Sequence, residues 1–213
     1  MLPDQRRETL LSILRMGPVV PVLIVDQVET AVPLARALVT GGVRVLEVTL
    51  RTQAALDVIR AIASQVEGAV VGVGTVRTPE QLAAAAEAGA QFAVSPGATR
   101  ALVEAATASP VPWLPGTATP SEAMQLAESG FSVLKLFPAE AVGGAKLIAS
   151  LASPLPDLVF CPTGGIDRAK AQDYLKLKNV VCVGGSWIAP ADLVAAGDWT
   201  RIEELARDAS QLR

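Results

Sequence analysis

Residues 119–137 read TPSEAMQLAESGFSVLKLF, and this stretch joins one helix signal to one strand signal. Thr119, followed by proline, is typical of a helix N-cap with proline at the first helical position, and Glu122 completes a capping box. Gly130 is the residue type that ends helices. An apolar run of strand composition, Val133–Phe137, follows and is interrupted by a single lysine. The stretch therefore predicts a helix followed by a buried strand, which is the repeating unit of an α/β fold.

The same helix signal occurs earlier in the chain. Thr78-Pro79-Glu80-Gln81 repeats the start 41 residues before Thr119, and Gly89 repeats the stop 41 residues before Gly130. Two strand–helix units fit into that interval, so the chain has a weak internal repeat. Apolar runs of strand composition, each followed by a helical stretch, recur along the whole chain. They are Val19–Val25, Val43–Leu50, Ala69–Thr75, Gln91–Ser95, Val111–Leu114, Ser132–Phe137, Leu158–Pro162 and Val180–Gly184.

Eight strand–helix units in strict alternation predict an α/β fold with a parallel sheet. For a chain of 213 residues we predict a small TIM (β/α)8 barrel, with one domain over residues 1–213 because no linker-like segment divides it. An open doubly wound sheet is the alternative, but Asp26-Gln27-Val28-Glu29 stands where its Gly-x-Gly-x-x-Gly turn would follow the first strand. Asp4–Met16 predicts an extra N-terminal helix, and Trp199–Leu212 predicts a closing one.

The composition restricts the classes of function. Hydrophobic residues make up 51% of the chain, while the net charge of −3 gives no bulk attraction to nucleic acid or to an anionic membrane. No apolar run reaches the length of a membrane span and no secretory segment is recognisable, so we expect a cytoplasmic protein. Histidine is absent, which excludes Ser-His-Asp and Cys-His catalysis, and neither a metal nor a cofactor is expected. Cys161 and Cys182 lie in apolar runs and are expected to be buried and reduced.

One amine and one carboxylate are predicted to point into the barrel. Side chains alternate between the two faces of a strand, so Leu134 and Leu136 would face the helices and Lys135 the interior. The same alternation turns Glu47 inward, near the carboxyl end of its strand, where active sites of this fold open. Apolar surroundings favour the uncharged amine of a lysine, which can form a Schiff base with a carbonyl substrate. The other interpretation is that Lys135 reaches the surface or pairs with a carboxylate.

Two interpretations also exist for Glu47 and for Arg51, which lies on the same strand face near the rim. Glu47 is either a general acid/base, since no histidine is available, or half of a structural ion pair with Arg51 or Lys135. Arg51 either holds a substrate carboxylate with its planar guanidinium or is simply solvated at the strand end.

Glycine-rich turns follow the seventh and eighth strands. Thr163-Gly164-Gly165 comes after one, and Gly184-Gly185-Ser186 after the other. Glycines let a backbone approach a ligand closely, and in TIM barrels these two loops frequently hold a phosphate group. Either pair alone is typical of a tight turn; together they predict a phosphate site.

Taken in order, these segments resemble class I 2-keto-3-deoxy-6-phosphogluconate (KDPG) aldolases, also described as 4-hydroxy-2-oxoglutarate (KHG) aldolases. The resemblance runs from about Gly17 to the C-terminus without large insertions. Its motifs are Gly41–Thr52, Gly72–Val76, Ser95–Gly97, Lys135–Glu140, Phe160–Ile166 and Gly184–Trp187.

The resemblance implies a role for each matching residue. Lys135 would be the Schiff-base lysine and Glu47 the general acid/base. The substrate's pyruvyl end and the pocket wall would be formed by Arg51, Thr75, Pro96 and Phe137, and its distal and phosphate end by Thr163, Gly164, Gly165, Gly185 and Ser186.

The resemblance also implies a homotrimer that cleaves a phosphorylated keto acid to pyruvate and glyceraldehyde 3-phosphate. Gly116-Thr117-Ala118-Thr119 departs from the family's Gly-Ile/Val-Ser/Ala-Thr, which leaves the fifth strand end less defined. A phosphogalactonate aldolase and a phosphosugar isomerase or epimerase on the same barrel are the alternatives. A phosphate-binding barrel without catalysis would need the glycine turns but not the inward lysine and glutamate.

Overall fold

The computed structural model describes residues 3–212. The predicted domain over residues 1–213 therefore includes three residues, 1, 2 and 213, that lie outside the described range. Strands and helices alternate along the chain, as the apolar pattern predicts. The strands are β1 (Val19–Leu23), β2 (Val45–Thr49), β3 (Val70–Gly74), β4 (Ala93–Val94), β5 (Trp113–Leu114), β6 (Gly116–Thr117), β7 (Val133–Leu136), β8 (Val159–Pro162) and β9 (Val183–Gly185).

Ten α-helices occur within residues 3–212. They are α1 (Pro3–Leu14), α2 (Val28–Thr40), α3 (Ala55–Gln65), α4 (Pro79–Glu87), α5 (Arg100–Ala108), α6 (Pro120–Glu128), α7 (Gly144–Leu151), α8 (Arg168–Leu175), α9 (Ala191–Ala196) and α10 (Trp199–Ser210). A single 3₁₀ turn, Glu140–Val142, precedes α7. None of the helices in residues 3–212 combines the length and the apolar character that a bilayer crossing requires.

All strand pairs are parallel, and the strands form a curled sheet. Six strands follow in the order β5-β4-β3-β2-β1-β9, and three more in the order β6-β7-β8. Two parallel bridges, Phe160–Val180 and Thr163–Gly184, link β8 to the β9 segment. β5 and β6 are two halves of one extended segment, divided at Pro115, which has no N–H for the ladder. The fifth predicted strand, Val111–Leu114, is thus observed as β5, and β6 lies beyond its predicted end.

The two faces of the strands build two separate hydrophobic clusters. Leu46, Val48 and Leu134 belong to the larger cluster, which lies between the sheet and the helices. Val45 and Val133, their neighbours in sequence, belong to the smaller cluster together with leucines of α1. The alternation predicted from the sequence is therefore confirmed, and the smaller cluster marks the inner face of the sheet.

Helix α1 covers the amino ends of the strands. Leu10, Leu11 and Leu14 are buried in the inner cluster, and Val45 and Val133 of that cluster each begin their strands. The carboxyl ends of the strands remain at the opposite edge. Polar side chains at those carboxyl ends are consequently placed next to one another.

Candidate active site

A buried amine and a buried carboxylate meet on the inner face of the sheet. Glu47 lies in the middle of β2 and is 3% exposed, and Lys135 lies in β7 and is 5% exposed. Lys135 Nζ is 3.3 Å from Glu47 Oε1, although 88 residues separate them in sequence. Among the described residues, Lys135 is the ion-pair partner of this carboxylate. The pair is hydrogen-bonded and excluded from bulk water, so a proton can pass between the two groups.

The backbone beside Glu47 makes room for its carboxylate. Gly74 ends β3 opposite Thr49 of β2, and a Cβ at Gly74 would stand 2.2 Å from Glu47 Oε1. Gly72, directly opposite Glu47, makes the same kind of room for the ring of Phe92. The glycines of the sequence Gly72-Val73-Gly74 are therefore required by close side-chain packing on the inner face.

Thr75 follows β3 with a backbone conformation that its residue type disfavours. Its φ is 62°, and it is the one non-glycine residue with a positive φ in the described chain. A β-branched side chain in the left-handed region is strained, and such strain concentrates at functional sites. Thr75 is half-buried and follows Gly74, the residue that lies against the Glu47 carboxylate.

Phe137 and Pro96 line a cavity that adjoins the pair. Lys135 Nζ lies 5.5 Å from the centre of the Phe137 ring. The cavity has a volume of about 450 Å³ and extends from Pro96, Gly116, Thr117 and Phe137 outward between α5 and α6. Lys135 and Glu47 themselves are not among its lining residues. Phe137 thus lies both near the Lys135 amine and on the wall of a cavity of the size of a small organic ligand.

The two glycine-rich loops lie side by side, as neighbouring strand ends require. Thr163 bridges to Gly184, and a Cβ at Gly184 would stand 2.2 Å from Thr163 Oγ1. Gly164 and Gly165 have φ values of 107° and 77°, which only glycine adopts readily. Gly185 is buried as the last residue of β9, and the exposed Ser186 follows it.

Arg51 is placed differently from the other predicted site residues. It is exposed in the turn after β2. Within residues 3–212 no hydrogen bond or ion pair connects it to Glu47, so of the two partners considered for the Glu47 carboxylate the structure shows Lys135. Also within that range, no three Cys, Asp or Glu side chains come close enough to hold a metal ion.

The sequence alone gave no indication of a second polar cluster, which joins the end of β7 to the loop after β8. Tyr174 donates a hydrogen bond of 2.5 Å to Glu140 Oε1, and Lys170 Nζ lies 2.9 Å from Glu140 Oε2. The hydrogen bond from Tyr174, followed by that from Lys170, lowers the pKa of the Glu140 carboxyl. Burial and the bond to Glu140 raise the pKa of the Tyr174 phenol. A glutamate four residues after the end of β7, and a lysine and a tyrosine four residues apart on α8, do not by themselves indicate a contact between the two segments.

The departure at the fifth strand end has a structural explanation. Thr117 is buried in β6, and its hydroxyl donates to Thr119 O at 3.1 Å and lies 3.4 Å from Glu122 Oε2. The threonine hydroxyl is thus satisfied by the capping box of α6. A polar residue at this position is therefore accommodated without an unpaired buried group.

Comparison with known proteins gives a consistent result. The family model "KDPG and KHG aldolase" matches residues 10–205. The KHG/KDPG aldolase of Escherichia coli K12 is 57% identical over 198 residues, which cover 93% of each chain.

Solved structures agree with this match. The KDPG aldolase of Zymomonas mobilis ZM4 with 3-phosphoglycerate has a TM-score of 0.93 at 43% identity, covering 98% of this chain and 97% of its own. The KDPG aldolase of Legionella pneumophila, with pyruvate captured as a covalent carbinolamine, has a TM-score of 0.93 at 40% identity and 99% coverage of both chains. The match extends along nearly the whole length of each protein, and the chain therefore belongs to the KDPG and KHG aldolase family.

Proposed function

We propose that this protein is a class I aldolase that cleaves KDPG to pyruvate and glyceraldehyde 3-phosphate and that also acts on KHG. The observation that carries the proposal is the buried Lys135–Glu47 pair, with 3.3 Å between Nζ and Oε1. An amine nucleophile and a proton-transfer group are the two functions that Schiff-base cleavage of an aldol requires. The Legionella relative holds pyruvate as a carbinolamine, which is the first covalent species of such a mechanism.

The first half of the reaction builds an electron sink. Glu47 accepts a proton from Lys135 Nζ, and the free amine attacks the C2 ketone of the substrate to form a carbinolamine. Glu47 returns the proton to the carbinolamine hydroxyl, which leaves as water and gives an iminium ion between Nζ and C2. Placement of the amine next to the bound ketone supplies much of the rate advantage, because the attack becomes intramolecular.

The second half of the reaction breaks the C3–C4 bond and releases the two products. The Glu47 carboxylate takes the proton of the C4 hydroxyl, through water, and the C3–C4 electron pair moves into the iminium to form an enamine. Glyceraldehyde 3-phosphate leaves. Glu47 then helps to protonate C3 of the enamine, and water hydrolyses the resulting iminium to release pyruvate and the Lys135 amine.

The remaining predicted residues are proposed to bind the two ends of the substrate. Arg51 comes two residues after the end of β2 and Thr75 directly after β3, and both would hold the pyruvyl carboxylate. Pro96 and Phe137 would form the pocket wall. Backbone amides of Gly164, Gly165, Gly185 and Ser186 would bind the phosphate, with Thr163 between the phosphate and the reacting carbons.

We further propose that residues 1–213 form one closed (β/α)8 barrel that assembles as a homotrimer in the cytoplasm. The parallel bridges between β8 and β9 and the shared segment of β5 and β6 support closure of the two strand sets into one ring. The Cys182 thiol donates to Cys161 Sγ at 3.5 Å, so both are reduced, as a reducing compartment maintains. Light scattering should give three times the 22.0 kDa of one chain.

Adduct trapping tests the proposed function directly. The protein is incubated with pyruvate and borohydride, digested, and analysed by peptide mass. We expect a stable reduced pyruvyl adduct on Lys135, no adduct in Lys135→Ala, and a normal adduct in Lys146→Ala, whose lysine is exposed on α7. Turnover of KDPG should disappear in Lys135→Ala while the circular dichroism spectrum is retained.

The alternatives predict different outcomes of the same experiment. An isomerase or epimerase that uses Glu47 as base and Lys135 as an electrostatic group would form no adduct, and a binding barrel without catalysis would release no pyruvate. Rates with KDPG and with its galactonate isomer then identify the sugar series. Near-normal turnover by Lys135→Ala would overturn the Schiff-base mechanism.

A further inference from the structure

The polar cluster of Glu140, Lys170 and Tyr174 connects two parts of the proposed site. Glu140 comes four residues after the end of β7, the strand that carries Lys135, and begins the 3₁₀ turn. Lys170 and Tyr174 belong to α8, which follows the Thr163–Gly165 loop. The cluster therefore links the segment after the Lys135 strand to the helix that follows the proposed phosphate loop.

Direct contacts fix the position of the loop. Lys170 Nζ pairs with Glu140 Oε2 at 2.9 Å and also donates to Gly165 O at 3.1 Å. Glu140 N donates to Gly164 O at 3.1 Å. Glu140 thus contacts the loop through its backbone and, through the Lys170 ammonium, also through its side chain.

The packing at Gly165 couples its conformation to Glu140. A Cβ at Gly165 would stand 2.9 Å from both Cβ and Cγ of Glu140, and the φ of Gly165 is 77°. The loop backbone therefore lies directly against the Glu140 side chain. A shift of that side chain has to be transmitted to the amides on either side of Gly165.

The groups at the other end of the cluster are also held in place. Asp167 Oδ1 accepts from Lys170 N at 2.9 Å and caps α8, so Lys170 is fixed in the first turn of that helix. The Tyr174 phenol is buried and donates to the second carboxylate oxygen of Glu140. The pKa of Glu140 is lowered by these hydrogen bonds, so the carboxylate is charged at neutral pH. Both of its oxygens have fixed partners.

We propose that Glu140 is a positioning residue that holds the Gly164–Gly165 loop, and with it the phosphate-binding amides, at a set distance from Lys135. This inference rests on the proposed function. It assigns Glu140 no contact with the reacting atoms. Its effect is confined to substrates that carry a phosphate, because the Gly164–Gly165 loop is proposed to bind the phosphate and not the pyruvyl end of the substrate.

The test compares two substrates in one variant. Glu140→Gln keeps an acceptor for Tyr174 but removes the charge that holds Lys170. We expect the KM for KDPG to rise about fivefold. The KM for KHG, which has no phosphate, should stay within about twofold of the wild-type value, and so should the yield of the trapped pyruvate adduct. Glu204→Gln, which removes the carboxylate of an exposed ion pair with Arg201 on α10, is the matched control and should change neither KM.

A second variant separates positioning from two other roles. Lys170→Met leaves the Tyr174–Glu140 hydrogen bond intact and should raise the KM for KDPG by a similar factor, with no further rise in the double variant. A fall in the KM for KDPG in Glu140→Gln, with a rise in Lys170→Met, would overturn the proposal and make Lys170 a direct phosphate ligand. An equal rise in both substrates' KM values, together with a lower melting temperature, would assign Glu140 a merely structural role. An unmodified wild-type Lys135 after trapping would overturn the proposed function itself, and the positioning role with it.

Discussion

At the scale of single residues, the chemistry depends on two side chains that sequence separates and the sheet brings together. A buried carboxylate beside an amine is a costly arrangement unless each satisfies the other. Alternation along two strands was sufficient to predict that Glu47 and Lys135 face inward. Their 3.3 Å separation was not predictable, because it depends on the curvature of a sheet in which β2 and β7 are not neighbours.

Glu47→Gln should separate proton transfer from binding. The amide has the size of the carboxylate but cannot accept the C4 hydroxyl proton, so kcat for KDPG should fall by at least about a hundredfold. Steady-state kinetics with lactate dehydrogenase coupling measures the released pyruvate. Glu87→Gln, at the exposed end of α4, serves as control and should retain the wild-type kcat. A Glu47→Gln enzyme within about twofold of the wild type would remove Glu47 from the mechanism.

Substitutions at Thr75 should show that its backbone conformation lowers the stability of the fold. Thr75→Gly relieves the strain at φ 62°, whereas Thr75→Ala removes the hydroxyl and leaves a Cβ in the left-handed region. We expect the glycine variant to be about 1 kcal/mol more stable than the alanine variant in urea unfolding. Both should raise the KM for pyruvyl substrates if the hydroxyl contacts the carboxylate. Equal stability of the two variants would show that the backbone at Thr75 stores no strain.

At the scale of elements, helix starts were better predicted than strand lengths. Thr119 and Glu122 form the full capping box that the sequence predicts. At the repeat, Thr78 caps α4 as predicted, but the Gln81 side chain accepts from Arg77 N, one residue before the N-cap. Capping is a local interaction within four residues, so the sequence contains all of its determinants.

Strand ends depend on partners instead. The run Gln91–Ser95 is apolar, yet the ladder covers only Ala93–Val94. Its partner β5 is equally short, because Pro115 interrupts the segment and cannot donate. The end of each strand is therefore decided by its pairing with a neighbour, which cannot be read from the sequence of that strand alone.

The capping box of α6 should be visible in the pH dependence of stability. The backbone hydrogen bond from Ala118 is the main cause that lowers the pKa of Glu122. A lowered pKa means that the charged cap stabilises the fold above the carboxyl pKa of the unfolded chain and is lost as the pH falls through the folded value. Glu122→Ala should cost about 1 kcal/mol at pH 7 and much less in acid.

Urea unfolding of the wild type and of Glu122→Ala at neutral and acidic pH measures this difference. Glu128→Ala is the matched control, because it removes an exposed glutamate from the other end of the same helix. A stability loss in Glu122→Ala that is equal at both pH values would mean that the charge of the cap contributes nothing.

At the scale of the whole molecule, the residues that stabilise the inner face of the sheet lie apart from the residues proposed to react. The inner cluster contains leucines of α1 and the first residues of β2 and β7, whereas the polar pair lies farther along these two strands and the glycine loops lie at the carboxyl ends of β8 and β9. The sequence predicted the alternating helices and strands and the extra first helix. It did not predict the cluster of Glu140, Lys170 and Tyr174, since Glu140 precedes α7 whereas Lys170 and Tyr174 belong to α8, and the periodicity of one element does not reveal a contact with another.

This division predicts that Leu11 supports the fold without affecting catalysis. Leu11 is fully buried in the inner cluster, so Leu11→Ala should lower the free energy of unfolding by about 3 kcal/mol through lost burial and a residual cavity. The kcat for KDPG at a temperature where the variant stays folded should equal that of the wild type, because Glu47 and Lys135 lie farther along β2 and β7 than Val45 and Val133, the residues of these strands that belong to the inner cluster. Ser12→Ala, on the exposed side of the same helix, should change neither quantity by more than a small fraction. Urea unfolding and coupled kinetics on the same preparations measure both, and a loss of kcat in folded Leu11→Ala would show that the amino end of the sheet controls the geometry of the site.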